Sequence, residues 1–112
     1  YFGNSFVKAE QMIFNLMRRL SSDYTGGYWE YFELNNGGFF LEPPTISEGY
    51  NLFQEGNGFE GKVSSEAAGI IVTMMIINHL CWEDESLVPY FYKLEEYALN
   101  HAEKKAIFCA LD

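Results

Sequence analysis

Three patterns in this chain bring together residue types that do chemistry. Gly56, Gly58 and Gly61 match the spacing G-x-G-x-x-G, whose glycines let a backbone approach a pyrophosphate when the motif follows a strand and opens a helix. Here Phe59 to Val63, which contains the third glycine, alternates like a strand and the helix starts later, and Glu55 and Glu60 would repel phosphate, so the pattern predicts a turn. His79, Cys81 and Glu83 are metal-ligand types. Residues two apart do not share a helical face, however, and neither His101 nor Cys109 stands at a recognised ligand spacing, so no metal and no cofactor is expected. Glu30 with Glu33, and Glu83 with Asp84, are paired carboxylates of the kind used in acid-base hydrolysis. Such a pair works only when its two pKa values are pushed apart, which the fold decides and spacing does not, so solvated acidic surface is the expectation. Nothing sets a histidine beside a serine or cysteine, and the chain is read as having no catalytic residue.

Charge narrows the partner. Sixteen acidic residues against seven basic ones leave a net charge of -9 over 112 residues. The first 22 residues carry Lys8, Arg18 and Arg19 against Glu10, whereas residues 23–61 hold seven acids and no base. Affinity for nucleic acid comes largely from Lys and Arg neutralising phosphates, so this middle stretch is excluded as a DNA-binding face and a cationic partner is the permitted kind. Tyr28, Trp29, Tyr31, Phe39 and Phe40 could stack on bases, but the charge argues against it and core filling is their expected task. Two cysteines are too few for a secreted disulfide scaffold. Cys81 and Cys109 are expected to be buried reduced thiols in a cytoplasmic protein, with a disulfide between them left open. The apolar run from Ala67 to Ile77 is too short to span a bilayer, which takes about 20 residues.

The elements that must position these residues follow from periodicity. Phe2, Phe6, Ala9, Ile13, Leu16 and Leu20 recur at helical spacing and predict an amphipathic helix ended by Ser21, Ser22 and Asp23. Tyr28 to Leu34 and Phe39 to Glu42 read as strands around Asn36-Gly37, a pair suited to a type I′ turn, with Pro43-Pro44 closing the ladder. Tyr50 to Glu55 and Phe59 to Val63 repeat the device around Gly56-Asn57-Gly58. Ser64 or Ser65 caps a helix over Ala67 to Trp82, where nearly every position is apolar, so that it must be buried on most sides. Ser86 is expected to cap a third helix with Leu87, Tyr90, Phe91, Leu94 and Ala98 inward. Asn100 and Glu103 resemble a capping box opening a fourth helix to Leu111. The expectation is one α+β domain over residues 1–112, in the order α-β-β-β-β-α-α-α, with a four-stranded antiparallel meander of two Asn-Gly hairpins against about four helices.

Five stretches in the same order resemble the ArdB/KlcA antirestriction family. They are Asp23-Tyr24-Thr25-Gly26-Gly27-Tyr28-Trp29, Asn36-Gly37-Gly38-Phe39-Phe40, Gly56-Asn57-Gly58-Phe59-Glu60-Gly61, Ser65-Glu66-Ala67-Ala68-Gly69-Ile70 and Ala110-Leu111-Asp112. The resemblance implies a small cytoplasmic protein of plasmids, phages or other mobile elements, folded as a single α+β domain, that relieves type I restriction of incoming DNA. It supplies no catalytic residues. Family members usually carry a longer N-terminal segment than Tyr1 permits, and the loop around Trp82 to Ser86 is shorter here. The expected mode is non-enzymatic, a monomer in direct or indirect protein contact with the restriction apparatus, without nucleic acid or membrane. The alternatives kept open are a small hydrolase-like enzyme using surface carboxylates and an acidic adaptor or toxin partner. The partner-binding candidates are Asp112, Glu30, Glu33, Glu83, Asp84 and Glu85. Asp112 stands out because the negative end of a helix dipole disfavours a carboxylate by about 0.3–1 kcal/mol, so a partner contact or a frayed terminus must account for it.

Overall fold

The computed structural model describes residues 6–54 and 56–111, with side chains from Lys8 onward. Helix α1 spans Phe6–Leu20. Its buried face is Ala9, Ile13, Leu16, Met17 and Leu20, the predicted stripe widened by Met17, while Arg18 and Arg19 face solvent at the dipole's negative end. Phe2 lies outside the described residues. Ser21 stops the helix, its hydroxyl accepting from the Asp23 N–H at 3.2 Å. The chain then folds back on α1: Trp29 donates its indole N–H to the Tyr24 hydroxyl at 2.8 Å and packs on Phe14 with ring centroids 5.2 Å apart.

Strands β1 (Glu30–Glu33) and β2 (Phe39–Glu42) form one antiparallel hairpin, and β3 (Tyr50–Gln54) and β4 (Phe59–Val63) a second. The predicted type I′ turn at Asn36-Gly37 is not made. No non-glycine residue described has positive φ, and the loop is a three-residue one in which Leu34 accepts from the Gly37 N–H and donates to the Gly38 carbonyl. Only Gly37, at φ 89°, takes the left-handed position, as in a type I turn followed by a bulge. Asn36 keeps an ordinary φ because its amide is held from outside the hairpin, donating to the Lys93 carbonyl at 2.9 Å while its Oδ1 accepts from Gly38 N–H. Asn57 does the same in the second hairpin. Its Oδ1 accepts from the Phe59 N–H, and its Nδ2 donates to the Ala110 and Cys109 carbonyls in the last turn of the C-terminal helix, where carbonyls need partners from outside the helix.

Helix α2 (Ser65–Leu80) is the hub, touching α1, β2 and the two C-terminal helices. Ser64 is its N-cap, accepting from the Ala67 N–H at 3.1 Å. The two hairpins therefore flank a helix as expected, but they stay separate two-stranded sheets and do not join into a four-stranded meander. The reason is that α2 occupies the position β3 would need beside β2. The Leu41 N–H donates to the Thr73 hydroxyl at 3.1 Å, and α2 approaches so closely that a Cβ at Gly69 would stand 2.3 Å from the Leu41 carbonyl oxygen.

Three boundaries differ from expectation. Helix α2 stops at Leu80 with Cys81 as C-cap, leaving Trp82 outside the helix and 88% exposed. The next cap is Asp84, not Ser86: its carboxylate accepts from Ser86 N–H to cap a short 3-10 turn, Glu85–Leu87, ahead of α3 (Val88–Leu99). The Asn100/Glu103 box does not form. Asn100 closes α3 by donating to the Glu96 carbonyl, and Glu103 reaches across to Ser64, so α4 starts at Lys104 and runs to Leu111. Both cysteines are free thiols, but neither is buried as expected: Cys81 is half-buried and Cys109 is exposed.

Candidate functional site

The densest polar network lies where the N-terminus of α2 meets the end of α3. Glu66 occupies the first turn of α2, where the dipole favours a carboxylate, and Tyr97 and His101 come from the last turn of α3 and the residues beyond it. Tyr97 donates its hydroxyl to Glu66 Oε1 at 2.6 Å, and His101 Nε2 lies 3.1 Å from Glu66 Oε2. His101 Nδ1 accepts from the Glu103 N–H at 2.9 Å, which assigns the proton of the neutral ring to Nε2 and makes it a donor to Glu66. Glu103 in turn receives the N–H and the hydroxyl of Ser64. One chain of hydrogen bonds thus joins the α2 cap to both C-terminal helices. Every buried side-chain polar atom among the described residues has a partner.

The hydrogen bond to Glu66 is the main force holding the Tyr97 phenol on its proton. With burial and the charges of Glu66 and Glu42, it pushes the pKa from 10.0 up to about 12. Glu42, opposite Glu30 across the first hairpin, is also raised, by burial first, against its bond to Thr45, and further by Glu66 and Glu30. Because the folded state keeps the Tyr97 proton between pH 10 and about 12 while the unfolded chain releases it, stability present below pH 10 is lost as pH rises through that window. Tyr97→Phe has no proton to lose. Its stability should fall less steeply there, by up to about 1.4 kcal/mol per pH unit before solvent screening. Urea unfolding from pH 9 to 12 reads this directly, and parallel curves for the two proteins would rule out the phenol as the group responsible.

Beside the network lies a groove of about 350 Å³ between the first hairpin and α3, lined by Phe32, Glu33, Asn36, Phe40, Glu66, Glu96, Tyr97 and others. Its floor is aromatic, with Phe40 stacked on Tyr97 at 5.8 Å, and its charged lining residues are all carboxylates. Chemically it offers acceptors to a cation. Ser64 gives its proton to a carboxylate and not to a histidine, and no group of three or more His, Cys, Asp or Glu among the described residues is placed to hold a metal.

Of the sequence candidates, Glu30 and Glu33 are exposed on β1, and Glu33 reaches the groove. Glu83, Asp84 and Glu85 form a separate group in the α2–α3 turn. Glu83 pairs with Lys8 at 3.4 Å in the open, Asp84 serves as a cap, and Glu85 is exposed. Asp112 lies outside the described residues. Among the aromatic candidates Phe39 and Phe40 are buried and Trp29 is half-buried, whereas Tyr28 is exposed, and Tyr31 is exposed on one face of β1 while stacked on Phe39. Glu66 and Glu96 were missed as groove residues. Glu66 carried only its signal as a helix-start acid, and Glu96 that of a solvent-facing position.

A family model for antirestriction proteins matches residues 22–112. The chain belongs to the antirestriction family. The Escherichia coli antirestriction protein KlcA is 36% identical over 121 aligned residues, covering all of this chain and 82% of KlcA. YafX of E. coli K12, an uncharacterised protein, is 37% identical over all of this chain and 77% of its own length. A solved structure from work on KlcA and ArdB superposes with a TM-score of 0.86 at 33% identity, over 96% of this chain and 80% of that one. It is described as a novel fold with antirestriction activity against type I DNA restriction systems in vivo but not in vitro. In this antirestriction-family chain the residues that carry the resemblance mostly hold the fold together. Asp23 accepts from the Asn51 main chain and side chain, Asn36 and Asn57 tie the hairpins to helices, and Gly69 admits β2.

Proposed function

We propose that this protein relieves type I restriction of incoming DNA inside the cell, as a non-enzymatic monomer acting through contact with protein, directly or through an intermediary. The observation that carries the reading is the solved relative at 33% identity whose antirestriction activity is described in vivo but not in vitro. A factor that acts only in the cell is one whose effect needs a component absent from the purified reaction. Electrostatics supports contact with protein over imitation of DNA. The molecule is 34 Å along its longest axis, a length over which duplex DNA carries about 20 charges. The net charge of -9 is less than half of that, and the carboxylates are divided between a groove, a turn and isolated surface positions.

Phage plating tests the reading. Cells with an active type I system that express this chain should plate unmodified phage with an efficiency raised toward that of modified phage, with no change on a restriction-deficient host. Absence of any gain sinks the proposal. Purified protein is expected to leave DNA cleavage by the purified restriction enzyme unaltered; inhibition at low salt that weakens as salt rises would instead establish DNA mimicry.

A further inference from the structure

At the corner where α2 ends and α3 begins, apolar side chains lie open to solvent. Trp82 is 88% exposed, Tyr92 60% and Val88 37%, and with Phe91, Cys81 and Asn78 they line a depression of about 290 Å³. A tryptophan carries 150–250 Å² of surface, so leaving one in water on a small domain forgoes a large burial gain. Nor is it displayed on a slack loop. The Glu83 and Asp84 N–H groups both donate to the Leu80 carbonyl, and Asp84 caps the 3-10 turn, so the chain on either side of the indole is held by hydrogen bonds. A rigid aromatic beside a pocket needs little ordering on association and is the usual form of an interface hot spot.

Charge says what kind of surface fits. None of the six lining residues is charged. Directly after Trp82 come Glu83, Asp84 and Glu85, and among the described residues the basic group paired with them is Lys8, in a solvent-exposed pair with Glu83 that is worth little. Two copies of this chain meeting here would bring both acidic triplets together on molecules of net charge -9. We infer that this corner is the docking surface for a basic amphipathic segment of a protein partner, with an apolar side chain entering the pocket beside Trp82 and Lys or Arg side chains meeting Glu83 and Glu85. The inference rests on the reading that the protein works by protein contact, and it places that contact away from the groove.

The test uses the full chain labelled with 15N and two helix-forming peptides, one of Leu and Lys and its twin with Glu in place of Lys. The Leu/Lys peptide should shift the Trp82 indole resonance and the amides of residues 78–92, and raising salt to about 0.5 M should weaken binding. Trp82→Ser should weaken it by about tenfold or more, the scale of a hot-spot residue. Because the side chain is so exposed, that variant should keep the wild-type thermal midpoint. Four results would overturn the inference: equal binding of the Glu twin, binding indifferent to Trp82→Ser, shifts confined to the groove around Glu33 and Glu96, or no binding. Two findings on the free chain would do so as well: a concentration-dependent Trp82 shift would assign the corner to self-association, and an indole shielded from acrylamide would show it already covered. Failed plating with successful peptide binding removes the functional reading and leaves the surface; the reverse removes the surface and leaves the function.

Discussion

Gly69→Ala is expected to destabilise the protein by about 2–3 kcal/mol, the upper range for overpacking a close-packed core. On helix propensity alone the same change should stabilise by up to about 1 kcal/mol, since alanine is the best and glycine among the worst residues in a helix interior. The two effects oppose each other, and geometry decides which wins. The new methyl carbon would stand 2.3 Å from the Leu41 carbonyl oxygen and 2.9 Å from the Glu42 Cα, both backbone atoms of a buried strand that cannot swing aside as a side-chain tip can. Either α2 moves off β2, opening the packing of a helix buried along most of its length, or the strand shifts and strains its pairing with β1. Urea unfolding at neutral pH measures the outcome. A midpoint equal to or above wild type would mean that the helix does not approach the strand as closely as described.

Thr73→Val should cost about 1–3 kcal/mol by a different route. The two side chains have nearly the same shape, so no cavity opens, but the Leu41 N–H loses its acceptor in a region where Thr73 and Leu41 are 0% and 3% exposed. Leaving a buried donor unpaired costs its desolvation, which the added apolar burial of a valine methyl offsets only in part. Thr73→Ser keeps the hydroxyl and gives up a methyl group, so it should lose about 1 kcal/mol and retain the bond. Amide hydrogen exchange separates the cases: Leu41 should lose protection in the valine variant and keep it in the serine variant. Unchanged stability with Leu41 still protected in Thr73→Val would show that the hydroxyl is not the acceptor. Gly69 and Thr73 are four residues apart on one face of α2 and both address Leu41, so the double variant should deviate from additivity.

Helix and strand identities were legible because each rests on local chemistry. The stripe of α1, the length and uniform apolarity of α2, and the alternation of Phe59, Gly61 and Val63 against Glu60 and Lys62 all report short-range geometry. Misreadings came where a residue serves a distant partner. Asn36 signalled a type I′ turn, but its amide is spent on the Lys93 carbonyl, which holds it at ordinary φ. Glu103 matched a capping box by spacing, yet the chain between α3 and α4 carries it to Ser64, where it supports the cap of a different helix. A nearly all-apolar stretch from Ala67 to Trp82 carries no cap or breaker to mark where α2 stops, so the pattern places Trp82 in a buried helix, whereas it stands in water.

The same division holds for function. Ordered local motifs placed the chain in its family, because turn, cap and close-approach residues are constrained by backbone geometry and leave a recognisable string. Sequence by itself therefore determined the elements, their order, the acidic character and the family. Only the tertiary structure decided that β2 gives its second edge to a helix and not to β3, that Glu33, Glu66 and Glu96 share a groove, and that Trp82 is displayed beside an acidic turn. The physical reason is one of range: propensity, capping and periodicity act within a few residues, whereas grooves and surfaces depend on which helix face meets which strand across about 30 or more positions of chain.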